Sequence, residues 1–332
     1  MDIYSWNPAE LLQLSGGYWG ACALHAGVKL DLFSHAGTAA ELAEATASDV
    51  RGLEMLMNAL TAMGLMEKSG DRYSPTIFAA EYLSRTSPRY LGHIIMHHHH
   101  LMAGWSRLDE SVRSGVPIRG RVSHDSDDIE RESFEMGMFN LAMQIAPRIV
   151  PNVDLRGKRR LLDLGGGPGS YAIQFCQANP HLAATVYDLP TTRRFAEKTI
   201  ASFGLSDRIT FRDGDFISDD VPGGFDVAWL SHILHGEGPE GCAVTLQRAV
   251  AALEPGGLLM VQEFMLDDTM AAPLFPALFS LNMLLGTPQG RAYSQQQLEK
   301  MMTAAGVGSI KRLELDLPNG AGVLAGIVEH RT

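Results

Sequence analysis

Cysteine is scarce in this chain of 332 residues: Cys22, Cys176 and Cys242 lie far apart, with no metal-ligand spacing between them. A disulfide framework and a cysteine-based zinc module are thereby excluded, and a reducing compartment fits best. Basic charge is also short. There are 27 Lys and Arg against 38 Asp and Glu, a formal net charge of −11, and binding to a polyanion draws most of its affinity from Lys and Arg. The expectation is no nucleic-acid partner. No apolar run approaches the roughly 20 uncharged residues of a membrane span, and the stretch Met1–Asn7 lacks the basic and apolar regions of a signal peptide. The sequence is read as a cytoplasmic protein with no membrane partner.

What is present begins with core-forming material. At 332 residues and 45% hydrophobic content, two domains are the natural expectation. The most informative run is Leu161-Leu162-Asp163-Leu164-Gly165-Gly166-Gly167-Pro168-Gly169-Ser170, a buried strand that ends in glycines and turns into a helix. Glycines allow positive-φ geometry and close approach of a ligand to the peptide groups, and Pro168 suits a helix start. A second strand, Ala183 to Tyr187, ends in Asp188, nineteen residues beyond Gly169, where a carboxylate would meet a ribose hydroxyl pair. Two cofactors fit such a turn, a nicotinamide dinucleotide and S-adenosyl-L-methionine (SAM). A dinucleotide site wants a further glycine inside the helix and a phosphate on the helix terminus. Here Ser170 and bulky Tyr171 follow, which favours SAM, a ligand without phosphate.

Ahead of that turn, Glu10 to Phe33 has helical apolar spacing with little charge, so it must be covered by something. Thr38 and Glu41 form a capping-box start. Asp49 caps a helix whose Leu53, Leu56, Met57, Leu60 and Met63 make one stripe ending at Gly64, and Met66 to Thr76 reads as a hairpin turning at Ser69-Gly70-Asp71. Helix, helix and wing result. With Asp49 and Glu54 beside Arg51 and no Lys or Arg cluster, DNA reading is not supported; dimerisation or a substrate lid is the better reading.

Pro88 to Gly115 is read as one helix containing His97-His98-His99-His100, with His93, His97 and His100 on one face. That face suits a polar substrate wall, packing and dimer contacts, or metal or tetrapyrrole ligation. No nearby cysteine or HExxH-type motif supports the metal, and none is expected. Gly115 to Glu132 reads as an exposed polar loop, and Phe134 to Val150 as an apolar helix. From about Leu155 strands and helices alternate, which means a doubly wound, mostly parallel sheet with sites at the strand ends. The expected division is 1–110, 111–154 and 155–332.

At those strand ends stand Gly214-Asp215-Phe216, then Ser231-His232-Ile233-Leu234-His235, then Glu263. With Trp19 to Phe33, Asp163 to Gly169, Tyr187-Asp188-Leu189-Pro190, Leu253-Glu254-Pro255-Gly256-Gly257 and Ser280 to Leu285, they carry a resemblance covering nearly the whole chain. It resembles the small-molecule O-methyltransferases that include plant phenolic and acetylserotonin O-methyltransferases. The resemblance implies a Rossmann-like α/β methyltransferase domain preceded by an all-α winged-helix domain that forms a homodimer through its N-terminal helices. It also implies SAM as cofactor and S-adenosyl-L-homocysteine as product.

Carried over by position, Gly165 and Gly167 fall against the methionine part of the cofactor, Asp188 on the ribose, and Asp215 with Phe216 around adenine. Asp163, Leu189 and Ser231 belong to the same cofactor motifs. His235 falls where the family has its general base and Glu263 where a carboxylate steadies that imidazole; His232 is the rival. Phe134, Met138, Asn282 and Met283 match acceptor-pocket positions, which Trp105 and the His93, His97, His100 face could complete.

The chemistry agrees. A sulfonium already activates the methyl group, so the protein must supply in-line placement and a base for the hydroxyl. Two departures stand out. Gly236 follows the base where the family commonly has Asp, and Arg291-Ala292-Tyr293-Ser294 replaces a stretch with a second carboxylate. The base is expected to be less buttressed. O-methylation of a small aromatic or heteroaromatic metabolite is the leading reading, with C-methylation of a tetrapyrrole-like ring, or a non-catalytic SAM-binding dimer or regulator, as alternatives.

Overall fold

The computed structural model describes residues 6–329; Met1–Ser5, part of the stretch read for a signal peptide, lie outside the described residues. The chain divides into two compact units, one up to Leu101 and one from Met102.

In the first unit α1 (Pro8–Gly16) opens with a capping box in which Asn7 and Glu10 satisfy each other's backbone amides. The helix expected from Glu10 to Phe33 is interrupted: α2 (Tyr18–Lys29) starts afresh after Gly17, and a 3-10 turn takes Leu32–Ser34. Adjacent glycines at 16 and 17 are the weak point, each disfavoured inside a helix. α1 buries none of its residues within this unit, and Leu12 and Trp19 are 71% and 70% exposed.

Next come β1 (Gly37–Thr38), α3 (Ala39–Ala45) with the Thr38/Glu41 capping box, and α4 (Val50–Ala62) capped by Asp49. The hairpin β2 (Met66–Ser69) and β3 (Arg72–Pro75) joins β1 in a small antiparallel sheet of order β1-β3-β2. Leu53, Met57 and Leu60 of α4 pack with Val28, Leu32 and Phe33, with Leu56 partly buried beside them; Met63, the last residue of the expected stripe, is exposed just beyond the helix. After α5 (Ile77–Leu83), α6 covers Gly92–Trp105. The single helix expected over 88–115 breaks there and resumes as α7 (Leu108–Ser114). The break follows Gly104 and Ser106, whose hydroxyl bonds back to the Ala103 carbonyl at 2.9 Å.

The second unit continues with α8 (Val122–Asp125) and α9 (Asp128–Ile149). α9 starts six residues before Phe134 because Asp127 caps it, accepting the Ile129 and Glu130 amides. Then β4 (Arg160–Leu164), α10 (Ser170–Ala178), β5 (Ala183–Asp188), α11 (Arg193–Ser202), β6 (Ile209–Asp213), β7 (Phe225–Ser231), α12 (Pro239–Ala252) and β8 (Leu253–Leu266) alternate. The chain ends with α13 (Leu274–Gly286), β9 (Tyr293–Ser294), α14 (Gln295–Ala304), β10 (Val307–Arg312) and β11 (Ala321–Val328). α13 and β10 were not anticipated as elements.

The sheet order is β10-β11-β8-β7-β4-β5-β6 with β9 against β8. Strands β4 to β8 pair in parallel, while β11 runs antiparallel to β8 and to β10. One face is covered around Ile149, Phe175 and Trp229, the other around Leu162, Leu246 and Leu298. Strands buried on both faces read as apolar runs, as the sequence does at 227–230 and, apart from Asp163, at 161–164. Among the described residues no helix is long and apolar enough to cross a membrane.

Candidate functional site

The carboxyl ends of β4 to β8 bring together the residues singled out at the strand ends, as an open parallel sheet does at its switch point. After β4 the turn runs through three positive-φ glycines, Gly165 (66°), Gly167 (53°) and Gly169 (77°). A Cβ on Gly165 would stand 2.6 Å from Ile233 Cγ2 and 3.2 Å from the Phe216 ring, so glycine is demanded by space as well as by φ.

Three acidic side chains surround this turn. Asp188, at the end of β5, accepts the Gly167 and Leu189 amides at 2.7 Å each, while burial pushes its carboxyl up. Asp163 is 1% exposed. One of its oxygens accepts the Ala172 amide at 3.1 Å and the other is buried without a donor, and burial pushes the carboxyl up to about 7. The third, Glu135 on α9, was missed. It is 2% exposed, takes a 2.9 Å hydrogen bond from Thr192 Oγ1, and is pushed up to about 8 by burial and then by Asp188. Its signal was an acidic residue lodged in the apolar run between Phe134 and Met136.

Asp215 and Phe216 follow β6, where the Gly214 amide donates to the Asp188 carbonyl at 3.0 Å and Asp215 accepts the Ile217 amide. Ser231 ends β7 and its hydroxyl donates to Gln262 Oε1 at 3.1 Å. This donor set fits SAM: carboxylates for hydroxyl and ammonium groups, a glycine turn that a Cβ would fill, and an orphaned Asp163 oxygen beneath it.

Beyond β7 a 3-10 turn, Leu234–Gly236, carries His235. Its Nδ1 lies 2.8 Å from Oε2 of Glu263, which is 2% exposed. Glu263 Oε1 accepts the Leu234 and His235 amides at 2.8 and 3.3 Å. Burial alone would raise this carboxyl; the His235 and His232 imidazoles outweigh it and hold the group well below the usual range. His232 sits at φ 56°, a strained region for a non-glycine residue. Its Nδ1 is 3.6 Å from Glu263, too far for a hydrogen bond, and its ring lies 4.2 Å from that of Phe264. Donor atoms of His232, His235 and Glu263 lie within 4.8 Å of one another, so these are the described residues that could hold a metal.

Beside His235 stands an aromatic wall: Phe279 of α13 meets its ring edge-on at 4.7 Å, and Phe264 and Phe275 lie 4.9 and 6.1 Å from Phe279, respectively. Asn282 and Met283 follow on the same helix. Phe134 and Met138 are half-buried on α9, and Trp105 is half-buried at the end of α6. His93, His97 and His100 belong to the first unit, where Tyr90 packs on His93 and His99 packs on His25 and His100. Among the described residues no three ligand atoms from that run converge.

The polar stretch 115–132 is not merely an exposed loop. Arg121 Nη2 pairs with Glu237 Oε1 at 2.7 Å and donates to the Gly236 carbonyl. A Cβ at 236 would lie 2.5 Å from that guanidinium, so Arg121 packs directly on the glycine after His235. Tyr293, whose hydroxyl donates to the Glu237 carbonyl at 2.6 Å, helps Arg121 tie down the turn that follows His235. Arg119 was also missed; it bonds Asn282 through its backbone carbonyl and its side chain, each at 3.2 Å.

Residues 111–308 match the model of the O-methyltransferase domain, and 12–85 that of the O-methyltransferase dimerisation domain. Over 96% of its length the chain is 34% identical to 3-hydroxy-5-methyl-1-naphthoate 3-O-methyltransferase of Streptomyces sahachiroi, covering 95% of that protein. It is 32% identical to the tetracenomycin polyketide synthesis 8-O-methyl transferase TcmO of Streptomyces glaucescens, covering 94% of this chain and 95% of that one. Among solved structures, PigF with SAH superposes with a TM-score of 0.87 at 26% identity, over 97% of this chain and 100% of PigF.

Proposed function

The chain belongs to the O-methyltransferase family, and on that premise we propose that it methylates a hydroxyl on a small aromatic or polyketide-derived ring, with His235 as general base. SAM is its cofactor, and its sulfonium supplies an already activated methyl group. The protein's own task is therefore to bind, align and deprotonate.

Gly165 and Gly167 offer their peptide groups to the methionine end, with Asp163 supporting the turn from below. Asp188 takes the ribose hydroxyls, and Asp215, Phe216, Leu189 and Ser231 hold the adenosine. The acceptor ring lies against the wall of Phe264, Phe275 and Phe279, bounded by Phe134, Met138, Asn282 and Met283. His93, His97, His100 and Trp105 carry no step of this reading.

The observation that carries the proposal is the 2.8 Å contact between His235 Nδ1 and Glu263. A buried carboxylate on Nδ1 keeps the proton there and leaves Nε2 as the basic nitrogen. His232, 3.6 Å from the same carboxylate, lacks that orientation.

The N-terminal unit serves dimerisation, the partner being a second copy that covers α1. A cytoplasmic location agrees with the three free cysteines, Cys22, Cys176 and Cys242.

The test is release of S-adenosyl-L-homocysteine from hydroxylated aromatic acceptors by wild type and His235→Ala. A loss of roughly 10²- to 10⁴-fold in turnover with SAM binding retained is the expected result. Turnover that survives the substitution would point to carbon methylation or to a base other than His235, and SAM binding without any turnover to a regulator.

A further inference from the structure

The extended segment after α7 delivers two arginines, and they are treated differently. Arg121 is neutralised by Glu237 at 2.7 Å. Arg119 has no carboxylate within ion-pair distance among the described residues. Its Nη2 donates to the backbone and side-chain oxygens of Asn282 at 3.2 Å each, Nη1 reaches the Gly120 carbonyl at 3.4 Å, and Nε is buried without a partner. Burial pushes the guanidinium pKa down, with only the more distant Glu130 opposing.

The position is built, not incidental. The Ile118 and Arg119 amides both donate to the Leu285 carbonyl, at 3.1 and 3.2 Å. A Cβ on Gly286 would lie 2.5 Å from the guanidinium, so Arg119 packs directly on the glycine that ends α13. The carbonyls of that last helical turn favour a cation, but they present partial charge and leave Nε unsatisfied. Leaving a guanidinium half-desolvated and without a counter-ion is costly unless an anion joins it.

Asn282 lies one turn beyond Phe279 on α13, roughly 4.5 Å along the axis, and Phe279 packs on His235. A planar acceptor lying on Phe279 with its hydroxyl at His235 would therefore reach toward Arg119 with its far end. We propose that Arg119 is the anchor for a carboxylate on the acceptor, so that the preferred substrates are hydroxyaryl carboxylic acids. This rests on the reading of the site as an aromatic O-methyltransferase and adds what the far end of the substrate carries. The planar fork of arginine suits a carboxylate in two-point contact.

The experiment compares matched acceptors, a set of hydroxynaphthoic and hydroxybenzoic acids and their methyl esters, in wild type, Arg119→Gln and Arg119→Lys. The readout is the acid-to-ester ratio of kcat/KM within each protein, which cancels general damage, with melting temperature as a check on folding. Wild type is expected to prefer the acid by roughly tenfold or more, mainly through KM. The ratio falls to near one in Arg119→Gln and is partly kept in Arg119→Lys. Equal use of acid and ester by wild type, or an acid preference that survives Arg119→Gln, overturns the anchor and leaves aromatic O-methylation standing. Methylation of neither form, with SAM bound, overturns both.

Discussion

Glu263 divides its two oxygens between the Nδ1 of His235, at 2.8 Å, and the Leu234 amide, also at 2.8 Å. One buried carboxylate thus fixes both the ring and the turn that presents it. Glu263→Gln is expected to lower kcat by about 10²-fold or more, since an amide can neither hold the Nδ1 proton as firmly nor stabilise the imidazolium. Stopped-time assays of S-adenosyl-L-homocysteine release beside SAM calorimetry would check it; unchanged kcat would remove Glu263 from the mechanism. A carboxyl held low in the fold contributes stability above its unfolded pKa and loses it as pH falls through the folded value. The melting-temperature gap between wild type and Glu263→Gln should therefore narrow in acid.

Glu135 has the opposite sign. Its carboxyl is pushed up to about 8 in the fold, against about 4.3 for an unfolded glutamate. Between those values the unfolded chain releases a proton that the folded chain keeps, so stability falls as pH rises. Glu135→Gln, which cannot ionise, is expected to lose less stability than wild type between pH 5 and pH 8. Melting curves across that range decide it, and parallel slopes for the two proteins would show that Glu135 ionises normally.

Arg121 ties the turn after His235 through Glu237 and the Gly236 carbonyl. Arg121→Met keeps the stem and removes both bonds. The expected outcome is a loss of roughly tenfold in kcat with SAM affinity kept, because misplacing a base costs rate before it costs binding. Equal losses in SAM affinity would mean that the tether supports the cofactor side instead.

The bare faces of α1 and the start of α2 predict self-association. Leu12 and Trp19 are 71% and 70% exposed within the unit, a degree of apolar exposure that marks an interface. Light scattering should give a dimer for wild type and a shift toward monomer for Leu12→Glu combined with Trp19→Glu. A monomeric wild type would remove α1 and the start of α2 as the dimer surface.

Much of the fold was legible because its signals are local. The Thr38/Glu41 and Asp49 caps, the Leu53-Met57-Leu60 stripe and the hairpin turn at Gly70 each need only a few neighbouring residues. The glycine turn after Leu164 and the carboxylate ending the next strand were equally plain. Elements without a periodic face were harder. α13 is apolar except for Ser280 and Asn282, too little of a polar side by which to recognise a helix, and β10 alternates too little to stand out.

The pairing of His235 with Glu263 at neighbouring strand ends was legible, whereas contacts whose partner carries no conspicuous motif were opaque. Arg119 and Arg121 looked like solvent-facing charges because their acceptors, Asn282 and Gly236, stand 163 and 115 residues away. Glu135 looked like a polar interruption of an apolar helix because Asp188 and Thr192 come from another strand end and the helix start beyond it.

The crossing of residues 118–119 over the last turn of α13 bears on how this enzyme can be re-engineered. The Leu285 carbonyl, the Gly286 gap and the Asn282 side chain are all shaped to one short segment that lies more than 150 residues earlier. Grafting a foreign α13 to change acceptor choice would bring a helix end cut for a different neighbour. Chimeras that exchange 115–121 and 274–292 as a matched pair should stay foldable, whereas single-segment swaps should precipitate.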